Sequence, residues 1–180
     1  MLYTLASYAE WPKEAFADED APFVLGILGE DPFRKDPDIL DGTIEIKEGE
    51  APMTAVLRRL GIGPTVTVKL GEAKFITRKL VIKQFGSLQD DVTNCHLLFI
   101  GGSEEKRVAE ELKVVEKFSV LTVAEIDGFI DGNGILDIVW KKTTDGNEKP
   151  GLEINFAAAK RSHLKLDPGL HPLAKREIKS

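Results

Sequence analysis

FVLGIL at residues 23–28 and CHLLFI at residues 95–100 are the stretches whose reading decides the fold. Both are near-continuous apolar runs, which suit strands covered on both faces, as in a parallel sheet. The first runs into Gly29, Glu30, Asp31 and Pro32, the second into Gly101, Gly102 and Ser103. Ser103 is a good helix N-cap, and Glu104 and Glu105 favour a helix N-terminus through its dipole. Val108, Leu112 and Val115 then mark the core face of a helix. Lys106 with Glu110, and Arg107 with Glu111, are spaced as i, i+4 surface pairs.

Outward from these runs, the same alternation of element types continues. Leu2, Leu5, Ala6 and Ala9 have the spacing of one helix face, and Pro12 predicts that this helix stops at Trp11. Pro32 could open a short helix carrying Phe33 and Leu40. Thr43 to Ile46 suits a short strand. Pro52 to Leu60 reads as a short helix ended by Gly61. Val66, Val68 and Leu70 alternate along a strand, and a second strand follows around Lys79 to Gln84. Val120–Val123, Ile135–Trp140 and Leu152–Phe156 read as further strands, the last two joined through Asp145, Gly146 and Asn147. Ala157 to His163 favours helix, and Asp167 with Pro168 starts a last one. The pattern predicts an α/β fold: a mixed, largely parallel sheet with helices on both faces, a three-layer sandwich, in a single domain.

The composition narrows the function classes. The chain has 180 residues, 42% hydrophobic and 30% charged, with a net charge of −6 and one cysteine, Cys95. That excludes collagen-like and disulfide-scaffold chains, and an acidic balance disfavours nucleic acid. No segment has the roughly 20 apolar residues that span a bilayer, so membrane insertion is not expected. The opening MLYTLASYAEWP lacks a basic n-region and a long apolar run, which on its own points to the cytoplasm.

Motifs for chemistry are missing. There is no G-x-x-x-x-G-K-[ST], and Gly26 and Gly29 do not complete G-x-G-x-x-G. The loop Asp127 to Gly134 fails the alternating-ligand spacing of a calcium loop in either register. His96, His163 and His171 form no zinc spacing, and Cys95 and His96, adjacent on a strand, point to opposite faces. No catalytic residue, cofactor or metal is expected.

The candidate binding residues are therefore few. In an open α/β sheet, ligands favour the crevice beyond the strand C-terminal ends. Glu30 and Asp31 follow one such strand, and Gly102 and Ser103 follow another with backbone amides at an expected helix start. These loops would border a small-ligand site, against the plainer reading of ordinary βα turns. Trp11, beside a proline, is the aromatic expected to be partly exposed, with helix-end packing favoured over partner contact. Asn155 sits on the polar face of its strand, where helix capping competes with ligand contact.

Four motifs in order carry a family resemblance. They are Ala9-Glu10-Trp11-Pro12 followed by FVLGILGEDP (23–32), and LVIKQFGSL (80–88) followed by CHLLFI. VLTV (120–123) comes next, with Gly128-Phe129 and Gly132–Ile135. The fourth is LEINFAAA (152–159), followed by Leu164-Lys165-Leu166 and Leu170–Ala174. This arrangement resembles the YfiR-like family. The resemblance implies a small periplasmic α/β protein, exported by a signal peptide. The founding member is a dimeric, non-enzymatic repressor of a membrane diguanylate cyclase and lowers cyclic-di-GMP output. The implied partner is a membrane-bound signalling protein, a cyclase or a sensor kinase, and a homodimer is implied as well. The resemblance also implies a disulfide-dependent fold, from which this chain departs, because Cys95 has no second cysteine. Residues 41–75 are longer than the family pattern and read as an insertion. The alternative function is a small-ligand-binding accessory protein of an uptake or sensing system. A hydrolase or transferase using scattered carboxylates ranks third.

Overall fold

The computed structural model describes residues 5–32, 34, 45, 47, 52–60, 63, 65–71, 74–86, 91–142 and 146–179. The expected strand at Thr43–Ile46, the helix carrying Phe33 and Leu40, and the Gly61 stop lie outside the described residues. Ten strands form one mixed sheet: β1 (Ala9–Trp11), β2 (Phe23–Leu28), β3 (Thr65–Leu70), β4 (Lys74–Phe85), β5 (Leu97–Ile100), β6 (Leu121–Ala124), β7 (Leu136–Lys142), β8 (Glu148–Asn155), β9 (Lys165–Leu166) and β10 (Ala174–Ile178). Among the described residues the helices are short: α1 (Pro52–Arg59), α2 (Val108–Val115) and α3 (Phe156–Arg161), with Leu5 and Ala6 helical as well.

The spatial order is β10-β8-β7-β6-β5-β2-β4-β3-β1-β9. β4, β2, β5, β6 and β7 run parallel, each to the next, as the apolar runs predicted. β7 and β8 pair antiparallel, and β10 joins β8 in parallel. Because β2 and β5 are covered on both sides, their odd and even residues enter different cores. Phe23, Leu25, Ile27, Leu97 and Phe99 belong to one. Val24, Leu28, Leu98 and Ile100 belong to the other, closed by Leu112 and Val115 of α2 and by Phe129.

The first core is closed largely by the sheet itself. β4 turns the corner: residues up to Lys79 pair antiparallel with β3, and from Leu80 onward the strand pairs in parallel with β2. The sheet then curls so far that Trp11 of β1 packs its ring edge-on against Phe23 of β2, centroids 5.3 Å apart, although two strands separate them in the sheet. Val66, Val68 and Leu70 join the same core, with Leu57 of α1 and Ala158 and Ala159 of α3. The sequence pointed to a helical layer on this face; curled strands supply much of it.

Three local expectations need correction. Ala9–Trp11 is a strand, paired in parallel with β3 through Glu10 opposite Lys69 and Trp11 opposite Leu70. Leu5 and Ala6 are helical, as their spacing predicts, but the helix stops short of Ala9, because Ala9 and Trp11, both buried, also fit period two. Ser103 does not cap a helix. It lies in a 3₁₀ turn, Gly102–Glu104, and α2 begins only at Val108. Finally, Arg107 pairs with Glu104 at 3.3 Å, and Glu111 is buried with Leu112 and Val115. The stripe Val108, Glu111, Leu112, Val115 has core spacing, so the position went to the interior despite its charge. At the C-terminal end the expected cap is present: Asp167 Oδ1 accepts the Gly169 N–H and Pro168 opens the helix, which is 3₁₀ (Pro168–Leu173), and β10 follows.

Candidate functional site

The order β4-β2-β5-β6 contains a topological switch point. From β2 the chain passes to β4 on one side and returns as β5 on the other. Loops after the two strands flanking such a point are splayed apart and leave a crevice, the usual ligand position in open α/β sheets. Here those loops are 29–32 and 101–104, the ones singled out from the sequence.

The structure ties them together. The Gly101 N–H donates to the Leu28 carbonyl at 2.8 Å, and the Glu30 N–H donates to Ser103 Oγ at 3.2 Å. Gly29 adopts φ 80°, which lets the chain leave β2 over the Ser103 and Glu104 side chains. Gly101 is needed for a different reason. A Cβ there would stand 2.6 Å from the Glu30 carbonyl oxygen and 2.8 Å from its nitrogen. Gly101→Ala should force the two loops apart and cost about 2 kcal/mol in chemical unfolding. A midpoint equal to the parent's would refute this close packing.

Glu30, Asp31, Gly101, Gly102 and Glu125 line a crevice of about 200 Å³. Beside it lies a second hollow of about 290 Å³, lined by Glu125, Asp127, Asp137 and Trp140. Burial pushes the Asp137 carboxyl up to about 7, and Glu153, Asp127 and Glu125 push the same way, while its hydrogen bond from the Ile126 N–H opposes them. This end of the sheet is strongly acidic, so it suits a cationic group. Gly102 and Ser103 open a 3₁₀ turn where a helix start was expected. The amides of Glu104 and Glu105 are spent on the carbonyls of Gly101 and Gly102. Among the described residues no group of three or more His, Cys, Asp or Glu is placed to hold a metal ion.

The remaining sequence candidates sit elsewhere. Trp11 is 0% exposed and its indole N–H donates to the Ser119 carbonyl at 3.0 Å. The expected part-exposed Trp11 is thus corrected: the curl of the sheet covers it. Asn155 is also buried. Its Oδ1 accepts the Ala158 N–H at 2.8 Å, capping α3, and its Nδ2 donates to the Ile130 carbonyl at 2.8 Å. His96 and Cys95 do not meet. The His96 ring stacks on Phe16 and Phe23, Nδ1 accepts the Val24 N–H, and Nε2 lies 3.0 Å from the Ala15 carbonyl. Burial holds its pKa down at about 4, so it is neutral. Cys95 is free, its Sγ 2.8 Å from the Val92 carbonyl, and burial raises its pKa to about 12. Neither is a nucleophile or base at neutral pH.

Two residues with unusual environments had no place among the sequence candidates. Glu111 is 0% exposed, and neither carboxylate oxygen has a hydrogen-bond donor. Arg78 is buried on β4 facing the apolar side of the strand. Its signal was legible: Ile76, Arg78 and Leu80 share one face at period two, and Arg78 stands opposite buried Val66.

The comparison with known proteins agrees with the motif order. A family model described as YfiR/HmsC-like matches residues 1–175, a span that includes residues 41–75. No curated protein matches the chain. A match of that extent places the chain in the YfiR/HmsC-like family.

Proposed function

We propose that this member of the YfiR/HmsC-like family is a non-enzymatic periplasmic regulator, one domain acting by protein–protein contact on a membrane signalling protein such as a diguanylate cyclase. The observation that carries the reading is the family match over residues 1–175. The fold supports it in one respect. The two groups best suited by type to nucleophilic chemistry, Cys95 and His96, are buried and engaged with backbone carbonyls. No helix among the described residues is long and apolar enough to cross a membrane.

The mechanism follows from linkage. A regulator lowers its partner's output by binding the inactive state of the sensor region more tightly than the active one. A tenfold preference corresponds to about 1.4 kcal/mol. We place the contact at the switch-point end, where exposed Glu30, Gly102 and Glu125 line the crevice with buried Asp31, and Ser103 accepts the Glu30 N–H. Its acidity selects a basic segment on the partner. Glu30 and Glu125 are exposed, so reversing them should spare the fold. The Glu30→Lys/Glu125→Lys double variant should capture the sensor region at least about tenfold more weakly, since complementary charges steer encounter. Equal capture with an unchanged melting midpoint would move the interface elsewhere. The family also carries a homodimer, which light scattering of the full chain reads directly.

A further inference from the structure

We propose that the groove between residues 16–20 and the first half of β4 binds a small carboxylate with an apolar body, and that Arg78 takes the carboxylate. The groove encloses about 740 Å³, within the range of small-molecule sites. It is separate from the switch-point crevice and independent of the regulatory reading above.

Arg78 is held in an unusual way. The residue is 6% exposed, and its guanidinium lies over the Phe16 ring, 4.1 Å from the centroid. Nη1 alone makes its backbone contacts, donating to the carbonyls of Asp18, Glu19 and Ala21 at 3.2, 2.9 and 2.6 Å. Nε is buried with no hydrogen-bond partner. No hydrogen bond from Nη2 occurs among the described residues. Guanidinium has five donors in a rigid fork. Anchoring one corner on three carbonyls orients the plane and leaves the Nε/Nη2 edge without an acceptor; Nε is closed to solvent, so a ligand reaches it only as the groove adjusts. That edge carries two parallel N–H donors at the spacing of the two oxygens of a carboxylate. An unfilled buried donor costs free energy that a matching acceptor returns.

The walls define the rest of the ligand. Leu70, Ile76 and Phe75 give an apolar side; Phe75 is 61% exposed, with the Lys69 ammonium 5.2 Å from its ring centroid. Lys13 and Lys74 line the groove with Asp18, Glu19 and Asp20. With Arg78 the charges are three of each sign, so no net field draws anions in. Selection therefore falls to the fork and the apolar wall, which favours a carboxylate monoanion over a phosphate dianion.

The test uses the full chain with phenylacetate and octanoate as probes, read by ¹⁵N-edited NMR of the arginine Nε–H groups. The Arg78 signal is assigned by its loss in Arg78→Lys. Saturable binding of either probe, with a downfield shift of the Arg78 Nε–H, is the expected result; uncharged 2-phenylethanol should not shift it. Arg78 also holds the 18–21 backbone, so its variants could disturb the loop. Phe75→Asp avoids this: the side chain is exposed, and a carboxylate placed in the groove should weaken phenylacetate at least about tenfold. The proposal is overturned if neither probe moves the Arg78 signal. It is overturned equally if Phe75→Asp binds phenylacetate as well as the parent does.

Discussion

Trp11→Ala is expected to lower the free energy of unfolding by about 4 kcal/mol, read from the midpoint of a urea transition. The side chain is fully buried against Phe23, and its N–H satisfies the Ser119 carbonyl ahead of β6. Truncation leaves a cavity at the point where the sheet closes on itself and strands that carbonyl without its donor. Trp11→Phe keeps much of the apolar bulk and loses the hydrogen bond, so a loss of about 1–2 kcal/mol is expected. Against a typical total of about 5–15 kcal/mol, the alanine variant removes a large share of stability. The competing idea, a Trp11 exposed to a partner, makes the opposite forecast: normal stability and impaired binding. A Trp11→Ala midpoint within experimental error of the parent's would contradict the curled sheet described here.

Glu111→Gln should raise stability, and by an amount that depends on pH. Burial, with the neighbouring Glu104 carboxylate, pushes Glu111 from its ordinary value of 4.5 up to about 7. The folded state therefore holds a proton that the unfolded state has released across that window. Stability falls as pH rises through it, because the native state binds more protons than the unfolded state. The full cost appears above pH 7 and vanishes below the unfolded value. A displacement of that size corresponds to about 3 kcal/mol. Glutamine cannot ionise, and its amide can donate to Glu104. The variant should thus be about 3 kcal/mol more stable than the parent near pH 8 and nearly equal to it near pH 4. Asp137 is raised in the same direction, so a residual slope remains in the variant. A parent whose unfolding midpoint does not fall between pH 5 and pH 8 would contradict a buried, donor-free Glu111.

Much of the frame was legible because its signals were local. FVLGIL and the LLFI of the second run announced doubly covered strands, and the structure pairs both in a parallel ladder. TVTVKL alternated cleanly and became β3, while Asn155 before an alanine run marked the cap of α3. The failures have a common physical cause. The curl that buries Trp11 arises from β4 changing partners at Lys79 and Leu80, a long-range event with no local marker. A three-residue strand such as β1 is also too short for periodicity to separate from a helix turn. Glu111 was missed for another reason: its i, i+4 spacing from Arg107 suggested a surface pair, although its spacing with Val108, Leu112 and Val115 put it on a core face. At the candidate site, the pairing of the 29–32 and 101–104 loops followed from the sheet rule. The acidity of this end of the sheet did not, because Glu125, just after β6, and Asp137 of β7 are brought alongside only by the fold.

The central claim is that this chain acts by contact on a membrane signalling protein. The most direct measurement is capture of the full-length chain's partners from detergent-solubilised membranes after mild cross-linking, identified by mass spectrometry. The account predicts recovery of a diguanylate cyclase or sensor kinase, cross-linked through its periplasmic region and reduced in the Glu30→Lys/Glu125→Lys variant. Recovery of no such signalling protein, from cells that express one beside this chain, would contradict it.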